Sequence, residues 1–339
     1  MLLNHLFKTA AAVIIVFFII TGCNIKPGTM GLQNRIFVVV DSVLWQELGE
    51  QTAQGFERII FTPHDEKTFS ITPVSLDRLS GIKHRMNVFF MGISDEEGEV
   101  NEYIKTMMPD NFKQGVETGD YFYLFQNDLF AEPQINLILY SKNRETFKEQ
   151  FAGSIEKIYQ TFNKKYYARL EQSMFERDEQ KQLSSFLQEY FGWNLRLQHD
   201  YFKATHNLDS RYVWLRRLNP DRSISIWEVK EGPEKFTLES LKAVRNKMAE
   251  QYYSKDVIED EDLYLTDVDF NGQPAQKLTG LWRNDSLLVG GPFRMYAVYD
   301  PLKSLHYMID ISVLAPGKLK KPFLDQLEVI AHTFEVVKD

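Results

Sequence analysis

The sequence predicts an α+β protein of two domains, each a largely antiparallel or mixed sheet with helices packed on it, the two joined by a helical bridge. Two observations indicate this fold class. In the first half, apolar runs typical of strands alternate with helical patterns. From residue 194 onward, patterns of period two predominate and predict an antiparallel sheet with helices packed on it.

The first half contains two strand-then-helix arrangements. Ile36–Val40 is an apolar, mostly β-branched run, typical of a strand buried on both faces, and Asp41-Ser42 offers an N-cap for a following helix. Val88–Ile93 repeats the arrangement, with Ser94-Asp95 as the predicted cap. Two further strands are predicted at Tyr121–Phe125 and Ile135–Tyr140.

From Glu145 the apolar spacing becomes helical. Aromatic and aliphatic residues recur every three or four positions along one face as far as Phe162. A charged stretch continues the helical pattern, and Gly192 supplies a stop at its C-terminal end. We therefore expect a bridging helical region at 163–193.

The second half alternates in period two. Its predicted elements are strands at Asn194–Lys203, Tyr212–Leu218 and Ile224–Val229, a helix at Thr237–Tyr253, a hairpin at Leu263–Leu281, a strand pair at Met295–Tyr299 and Leu305–Val313, and a helix at Leu319–Phe334. The hairpin turns at Asn271-Gly272, the strongest short signal for a two-residue turn. Gly290-Gly291-Pro292 predicts a flexible bend between strands.

No catalytic, metal-binding or cofactor-binding motif is complete in the sequence, so we predict no catalytic residues, no metal site and no cofactor. Asp267 to Gly272 matches the first half of a calcium loop, but Leu278 stands where a bidentate glutamate is required, which favours the hairpin. The acidic run Glu259–Asp262 could bind a divalent cation, although a solvated loop is the default. The histidines lack metal-ligand spacing, and no phosphate loop or nucleophile elbow occurs.

The start of the chain has the pattern of a secretion signal. Lys8 precedes the apolar run Ala10–Ile20, which is much shorter than the roughly 20 residues that a spanning helix needs. The run leads into Cys23, and the preceding residues resemble the lipobox of a lipoprotein, with an aliphatic and two small side chains: Ile20, Thr21 and Gly22. The alternative is an accidental cysteine after a generic signal peptide.

Cys23 is the only cysteine of the 339 residues, so no intramolecular disulfide can form, and acylation would protect the exported thiol from oxidation. The predicted layout is a signal peptide at 1–22, a lipidated cysteine and tether at 23–35, an N-terminal domain at 36–162, the bridge at 163–193 and a C-terminal domain at 194–339. The net charge of −8 argues against nucleic acid as a partner, because binding phosphates needs a basic surface.

Several stretches together resemble an uncharacterised Bacteroidetes lipoprotein family, domain of unknown function 4837, over nearly all of the chain after Cys23. They are Phe37–Trp45, Gly280–Trp282, Gly290–Phe293 and Met308–Phe334. The resemblance implies a lipoprotein of the cell envelope and supplies no catalytic residue. In that phylum, the lack of acidic residues in Asn24–Pro27 suggests the outer membrane, facing the periplasm.

The leading hypothesis is therefore a non-catalytic binding or assembly module at the cell envelope. Its expected partners are the lipid bilayer, through acylated Cys23, and an envelope protein or glycan. The alternative is a periplasmic hydrolase acting on cell-wall or carbohydrate substrates, which would need a cleft holding two carboxyl groups about 5 to 10 Å apart.

Overall fold

The computed structural model describes residues 26–230, 232–253 and 255–337. The strands are β1 Arg35–Val39, β2 Ile59–Ile60, β3 Glu66–Lys67, β4 Ser70–Val74, β5 Asn87–Ile93, β6 Tyr123–Asn127, β7 Ile135–Ser141, β8 Trp193–Asn194, β9 Phe202–Asn207, β10 Tyr212–Arg217, β11 Asp221–Val229, β12 Val257–Ile258, β13 Tyr264–Phe270, β14 Gln273–Asn284, β15 Val289–Asp300, β16 Leu305–Leu314 and β17 Glu335–Val336. The α-helices are α1 Ser42–Phe56, α2 Leu79–Ile82, α3 Glu99–Met107, α4 Asp110–Thr118, α5 Arg144–Phe175, α6 Lys181–Phe191, α7 Leu238–Tyr252 and α8 Lys321–Ala331. A 3₁₀ turn at Leu76–Arg78 precedes α2.

Helices and strands each account for 35% of the described residues, which confirms the α+β prediction. The contacts divide the chain into two compact units. Among the described residues, the first unit comprises residues 26–32, Ile36–Ser42 and Pro73–Arg144, and the second comprises Gln33–Arg35, Val43–Thr72 and the chain from Glu145 onward.

A mixed five-stranded sheet has the order β4-β1-β5-β7-β6, and its strands β5, β7 and β6 lie wholly in the first unit. Strands β1, β5 and β7 are parallel, and β6 runs antiparallel to β7. Every residue of β5 and β7 is buried, because these strands lie inside the sheet and have continuous apolar sequences. The apolar faces of α3 and α4 contribute to the same core.

The predicted helix cap at Ser94-Asp95 is wrong, because α3 begins only at Glu99. The side chain of Asn101, inside the helix, accepts a hydrogen bond from the Ile93 amide over 2.8 Å and donates to the Glu96 carbonyl over 3.0 Å. The residues between strand and helix are thus held in a turn.

The second unit contains an antiparallel eight-stranded sheet in the order β12-β14-β15-β16-β11-β10-β9, with β13 paired to β14. The predicted hairpin turn between β13 and β14 is confirmed. Asn271 and Gly272 have φ angles of 55° and 83°. These positive values are the left-handed conformation that a tight primed turn requires.

Both faces of this sheet are covered. On one face, Ser225, Asp310 and Met295 lie side by side on neighbouring strands, and α7 packs over the apolar core around them. On the other face, the buried Glu328 of α8 pairs with Arg294 of β15. Strand β15 therefore contributes Met295 to one face of the sheet and Arg294 to the other.

Two predicted strand features differ from the structure. The expected strand at Asn194–Lys203 is replaced by β8 and β9, and β8 pairs with β17 instead of joining the large sheet. Gly290 and Gly291 lie inside β15 instead of forming a bend. A Cβ atom at Gly291 would overlap the carbonyl oxygen of Val313, so glycine there permits close approach of adjacent strands.

Helix α5 continues without a break from Arg144 to Phe175, so the domain limit predicted at 162 falls inside a helix. Its aromatic face packs against the segment 43–72, where the ring centroids of Phe69 and Phe162 are 4.7 Å apart and those of Phe56 and Phe162 are 5.9 Å apart. The periodicity of a helix does not mark where its contacts change. No helix among the described residues has the length and apolar character that crossing a bilayer requires.

Candidate ligand-binding site

A cleft of about 860 Å³ opens in the second unit. This volume is within the range typical of ligand pockets. Three segments form most of its wall: the tip of the β13–β14 hairpin, the turn between β15 and β16, and the stretch that follows α8. We call it the hairpin cleft. Its lining residues are Glu171, Arg196, Phe270, Asn271, Gln273, Pro274, Val298 to Leu302, Tyr307 and His332 to Val336.

The hairpin tip is tied to the stretch after α8 through Asn271. Its amide nitrogen donates hydrogen bonds to the carbonyl oxygens of His332, over 2.9 Å, and Phe334, over 3.3 Å. Its amide oxygen lies 3.0 Å from His332 Nδ1. Because the two carbonyls fix the orientation of the amide, Nδ1 of His332 must carry the hydrogen and donate it.

The imidazole of His332 stacks on Phe270, with ring centroids 4.6 Å apart, and its side chain remains 39% exposed. Its Nε2 lies 3.8 Å from Glu328 Oε2, beyond ordinary hydrogen-bond length. Burial lowers the pKa of His332, and Lys277 acts in the same direction, while Glu328 and Asp269 act against them. The net effect favours the neutral ring.

A buried ionic cluster lies beside this ring. Burial alone would raise the pKa of Glu328, but Arg294, Lys277 and a hydrogen bond from Tyr296 hold it below its usual range. Glu328 and Arg294 are only 7% and 15% exposed at their side chains. The Glu328 carboxylate therefore already has two cations and a tyrosine hydroxyl as partners inside the fold.

Two carboxylates of the cleft wall also have structural partners. Asp300 Oδ1 accepts the backbone amides of Leu302, over 2.9 Å, and Lys303, over 3.2 Å, which holds the turn between β15 and β16. Glu171 pairs with Arg196 over 3.2 Å. These groups shape the wall, and the cleft as a whole offers shape, apolar contacts and fixed charges to a ligand.

Two families of uncharacterised domains match the chain. Residues 29–175 match Domain of unknown function (DUF8532), and residues 179–333 match Domain of unknown function (DUF4837). The resemblance predicted over nearly the whole chain is thus right for the second half only, because Phe37–Trp45 falls in the region that the other family matches. A search of curated proteins finds no match.

Most of the hairpin cleft belongs to the region matched by Domain of unknown function (DUF4837), since the hairpin, the β15–β16 turn and His332 all lie within 179–333. Glu171 comes from the other matched region, and 334–336 follow the match. The cleft is thus mainly a feature of the second of these domains.

The predicted lipidation site lies outside the described residues. It comprises Ile20, Thr21, Gly22 and Cys23, so lipidation stays a prediction. The stretch resembling a calcium loop is a hairpin turn in which Asp269 accepts the Gly272 amide over 2.9 Å. Across the described part of the chain, no three His, Asp or Glu side chains gather closely enough to hold a metal ion.

The tryptophans of the second unit mostly belong to the core, which leaves them few open ring faces on which sugars or peptides could stack. Trp193 is fully buried and Trp282 is 8% exposed. Trp214 and Trp227 pack against the core between α7 and the sheet. None of these tryptophans lines the hairpin cleft.

The sequence did not predict that the side chains of His332 and Asn271 lie in contact. They are 61 positions apart, and no motif spacing relates them. The one usable signal was Asn-Gly itself, which located the hairpin tip correctly but could not say what the tip would contact.

Proposed function

We propose that this chain is a lipoprotein of the cell envelope, held at the membrane through acylated Cys23, that acts as a non-catalytic binding or assembly module through its hairpin cleft. The expected location is the outer membrane, facing the periplasm. The lipobox-like residues before Cys23 support the anchor. The observation that carries the binding role is a preformed cleft of about 860 Å³ in which two of the three wall carboxylates, those of Asp300 and Glu171, already have structural partners.

A hydrolase of glycosidic bonds would need two carboxyl groups free to act on the substrate, one of them as a proton donor. In the hairpin cleft, Asp300 holds a turn through two backbone amides and Glu171 holds Arg196. His332 uses Nδ1 to bind Asn271, and its Nε2 faces the buried Glu328. These commitments favour binding over hydrolysis.

The anchor is tested with the full-length chain expressed in a bacterium that processes lipoproteins. Metabolic labelling with an alkyne fatty acid should tag the wild-type protein, and Cys23→Ser should abolish the label and release the protein from the membrane fraction. Ile20→Leu is the matched control and should keep both, since it retains a branched aliphatic side chain. Equal labelling of Cys23→Ser and wild type would overturn the anchor.

The binding role is tested with a photo-crosslinking amino acid placed at Gln273, an exposed residue of the cleft wall, in the full-length protein in cell envelopes. The control position is Gln251, an exposed residue of α7. A discrete adduct from position 273 that is absent from position 251 would support the proposal. No adduct, or the same adducts from both positions, would contradict it.

A further inference from the structure

The charges around the hairpin cleft are unevenly distributed. The lining residues include three carboxylates, those of Glu171, Asp300 and Glu335, against a single guanidinium, that of Arg196. Arg196 is also held by Glu179 through two contacts of 2.8 and 3.1 Å. The positive charge of Arg196 is therefore shared between two carboxylates, and the wall as a whole is acidic.

The remaining charged groups at the rim do not reverse this balance. Asp269 adds a carboxylate beside the hairpin tip, and burial disfavours a positive charge on His332. Lys303 lies on the β15–β16 turn, with its ammonium 3.4 Å from the hydroxyl of Tyr307. Beneath the wall, Lys277 and Arg294 face the buried Glu328.

The apolar part of the cleft is exposed at the rim and closed at the floor. Leu302, at the tip of the β15–β16 turn, is 95% exposed, and Pro274 and Pro301, which line the same cleft, are exposed too. The rings of Phe270 and Tyr307 are only 2% and 1% exposed as residues. Sugar recognition by stacking needs an open ring face, whereas aliphatic side chains need only an apolar rim of this kind.

We infer that the hairpin cleft takes a basic peptide segment of a protein partner, in which cationic side chains alternate with aliphatic ones. The inference rests on the proposed binding function and names the class of its partner. Cationic side chains complement the acidic wall and set orientation and specificity. Aliphatic side chains cover Leu302 and the two prolines of the cleft, removing apolar surface from water.

The experiment measures fluorescence anisotropy of labelled peptides with the full, acylated protein in detergent. The probes are an eight-residue peptide that alternates lysine with leucine, one that alternates glutamate with leucine, and one that alternates lysine with serine. The lysine–leucine peptide should bind at least about tenfold more tightly than either of the others. Its affinity should fall between 50 and 500 mM salt, because salt screens exposed charges.

Two variants place that binding in the cleft. Glu335→Lys should weaken the lysine–leucine peptide by about three- to tenfold, since a charge reversal replaces one exposed attraction with a repulsion. Leu302→Ser should weaken it by a similar factor through lost apolar contact.

The matched controls are Glu250→Lys, on an exposed position of α7, and Leu218→Ser, on the turn between β10 and β11. Leu218 is 50% exposed and lies at the end of the sheet opposite to the cleft. Its turn leads into Asp221, which pairs with Leu314 at the last residue of β16, whereas the β15–β16 turn lies at Leu305, the first residue of β16. Both controls should leave the affinity unchanged. Equal effects of the controls and the cleft variants would overturn the inference.

The outcomes separate this inference from the proposed function. If position 273 gives its discrete crosslink but the glutamate–leucine peptide binds as well as the lysine–leucine peptide, the basic partner is refuted and the binding role stands. Displacement of the position-273 crosslink by an oligosaccharide, but not by the lysine–leucine peptide, would likewise refute the peptide partner. If neither crosslink nor peptide binding occurs, both proposals fail.

Discussion

The buried ion pair between α7 and the large sheet gives the sharpest stability test. Arg245 Nε donates to Asp310 Oδ1 over 3.0 Å, and both side chains are 1% exposed. The guanidinium carbon lies 3.7 Å from the centre of the Phe293 ring. Replacing Asp310 with asparagine would leave the charge of Arg245 inside an apolar core without its counter-ion.

The expected loss in the free energy of unfolding is about 3 to 5 kcal/mol, the cost of removing one member of a buried pair. The exposed pair Lys235–Asp267 is the matched control, since its side chains are 67% and 66% exposed. Asp267→Asn should cost about 1 kcal/mol or less. Replacing both buried partners, as Arg245→Met with Asp310→Leu, removes the unpaired charge and should cost less than Asp310→Asn alone.

Tryptophan fluorescence in a urea titration is a suitable assay because all five tryptophans lie in the second unit. The signal therefore follows the unit that contains the ion pair, without mixing in the unfolding of the first sheet. Tyr253 links Trp214 to the pair, since its ring centroid lies 5.2 Å from that of Trp214 and 5.9 Å from the guanidinium carbon of Arg245. Equal losses for Asp310→Asn and Asp267→Asn, or a double variant less stable than Asp310→Asn, would refute the reasoning.

Three further predictions use the same titration. Gly291→Ala should lower the free energy of unfolding by about 1 to 3 kcal/mol because its Cβ would overlap a backbone oxygen. The control Gly153→Ala, in α5 with nothing within 4 Å of the new Cβ, should raise it by about 0.5 to 1 kcal/mol. A loss of stability in both variants would contradict the packing argument. Glu66→Gln should cost about 1 kcal/mol because the Glu66 carboxylate accepts two amides, over 2.7 and 2.9 Å, at the N-terminus of α8; an unchanged midpoint would count against that cap. The pKa of His332 is lower in the folded state than its unfolded value of about 6.5. The stability contributed by the neutral ring is therefore fully present above pH 6.5, and it is lost as the pH falls from 6.5 to the pKa of the folded state. His332→Gln should reduce the stability lost between pH 7.5 and 5.5, and an identical pH profile would argue against a perturbed histidine.

The elements that sequence reasoning located best carry strong local signals. The continuous apolar runs of β5 and β7 located two strands that are buried in the structure, and Asn271-Gly272 located the hairpin turn. The helix predicted from Thr237 is α7, and Thr237 is its N-cap, where it forms a capping box with Ser240. In each case the determining interactions lie within a few residues along the chain.

The elements it misjudged depend on distant partners. Gly290 and Gly291 have the composition of a bend, but the carbonyl of Val313 on β16 requires a residue without a side chain inside β15. Helix α5 offered no internal sign that its contacts pass to the segment 43–72, since its aromatic spacing is uniform.

The candidate site shows the same division. The residues of the hairpin cleft come from stretches as far apart in the chain as Glu171 and Val336, and none belongs to a motif with chemical spacing. Glu328, Arg294 and Lys277 were unremarkable charges in the sequence. Only their burial in one place makes them a cluster.

By itself the sequence determined the α+β class, the two-domain organisation and the acidic balance, and it predicts lipid attachment at Cys23. These follow from composition, periodicity and short motifs, which are properties of the chain before it folds. The tertiary structure alone decided that the hairpin tip meets the stretch after α8, that Asn271 sets the protonated nitrogen of His332, and that an acidic cleft opens between them. Such contacts join residues that are distant in the sequence, so the local conformational preferences of the chain cannot predict them.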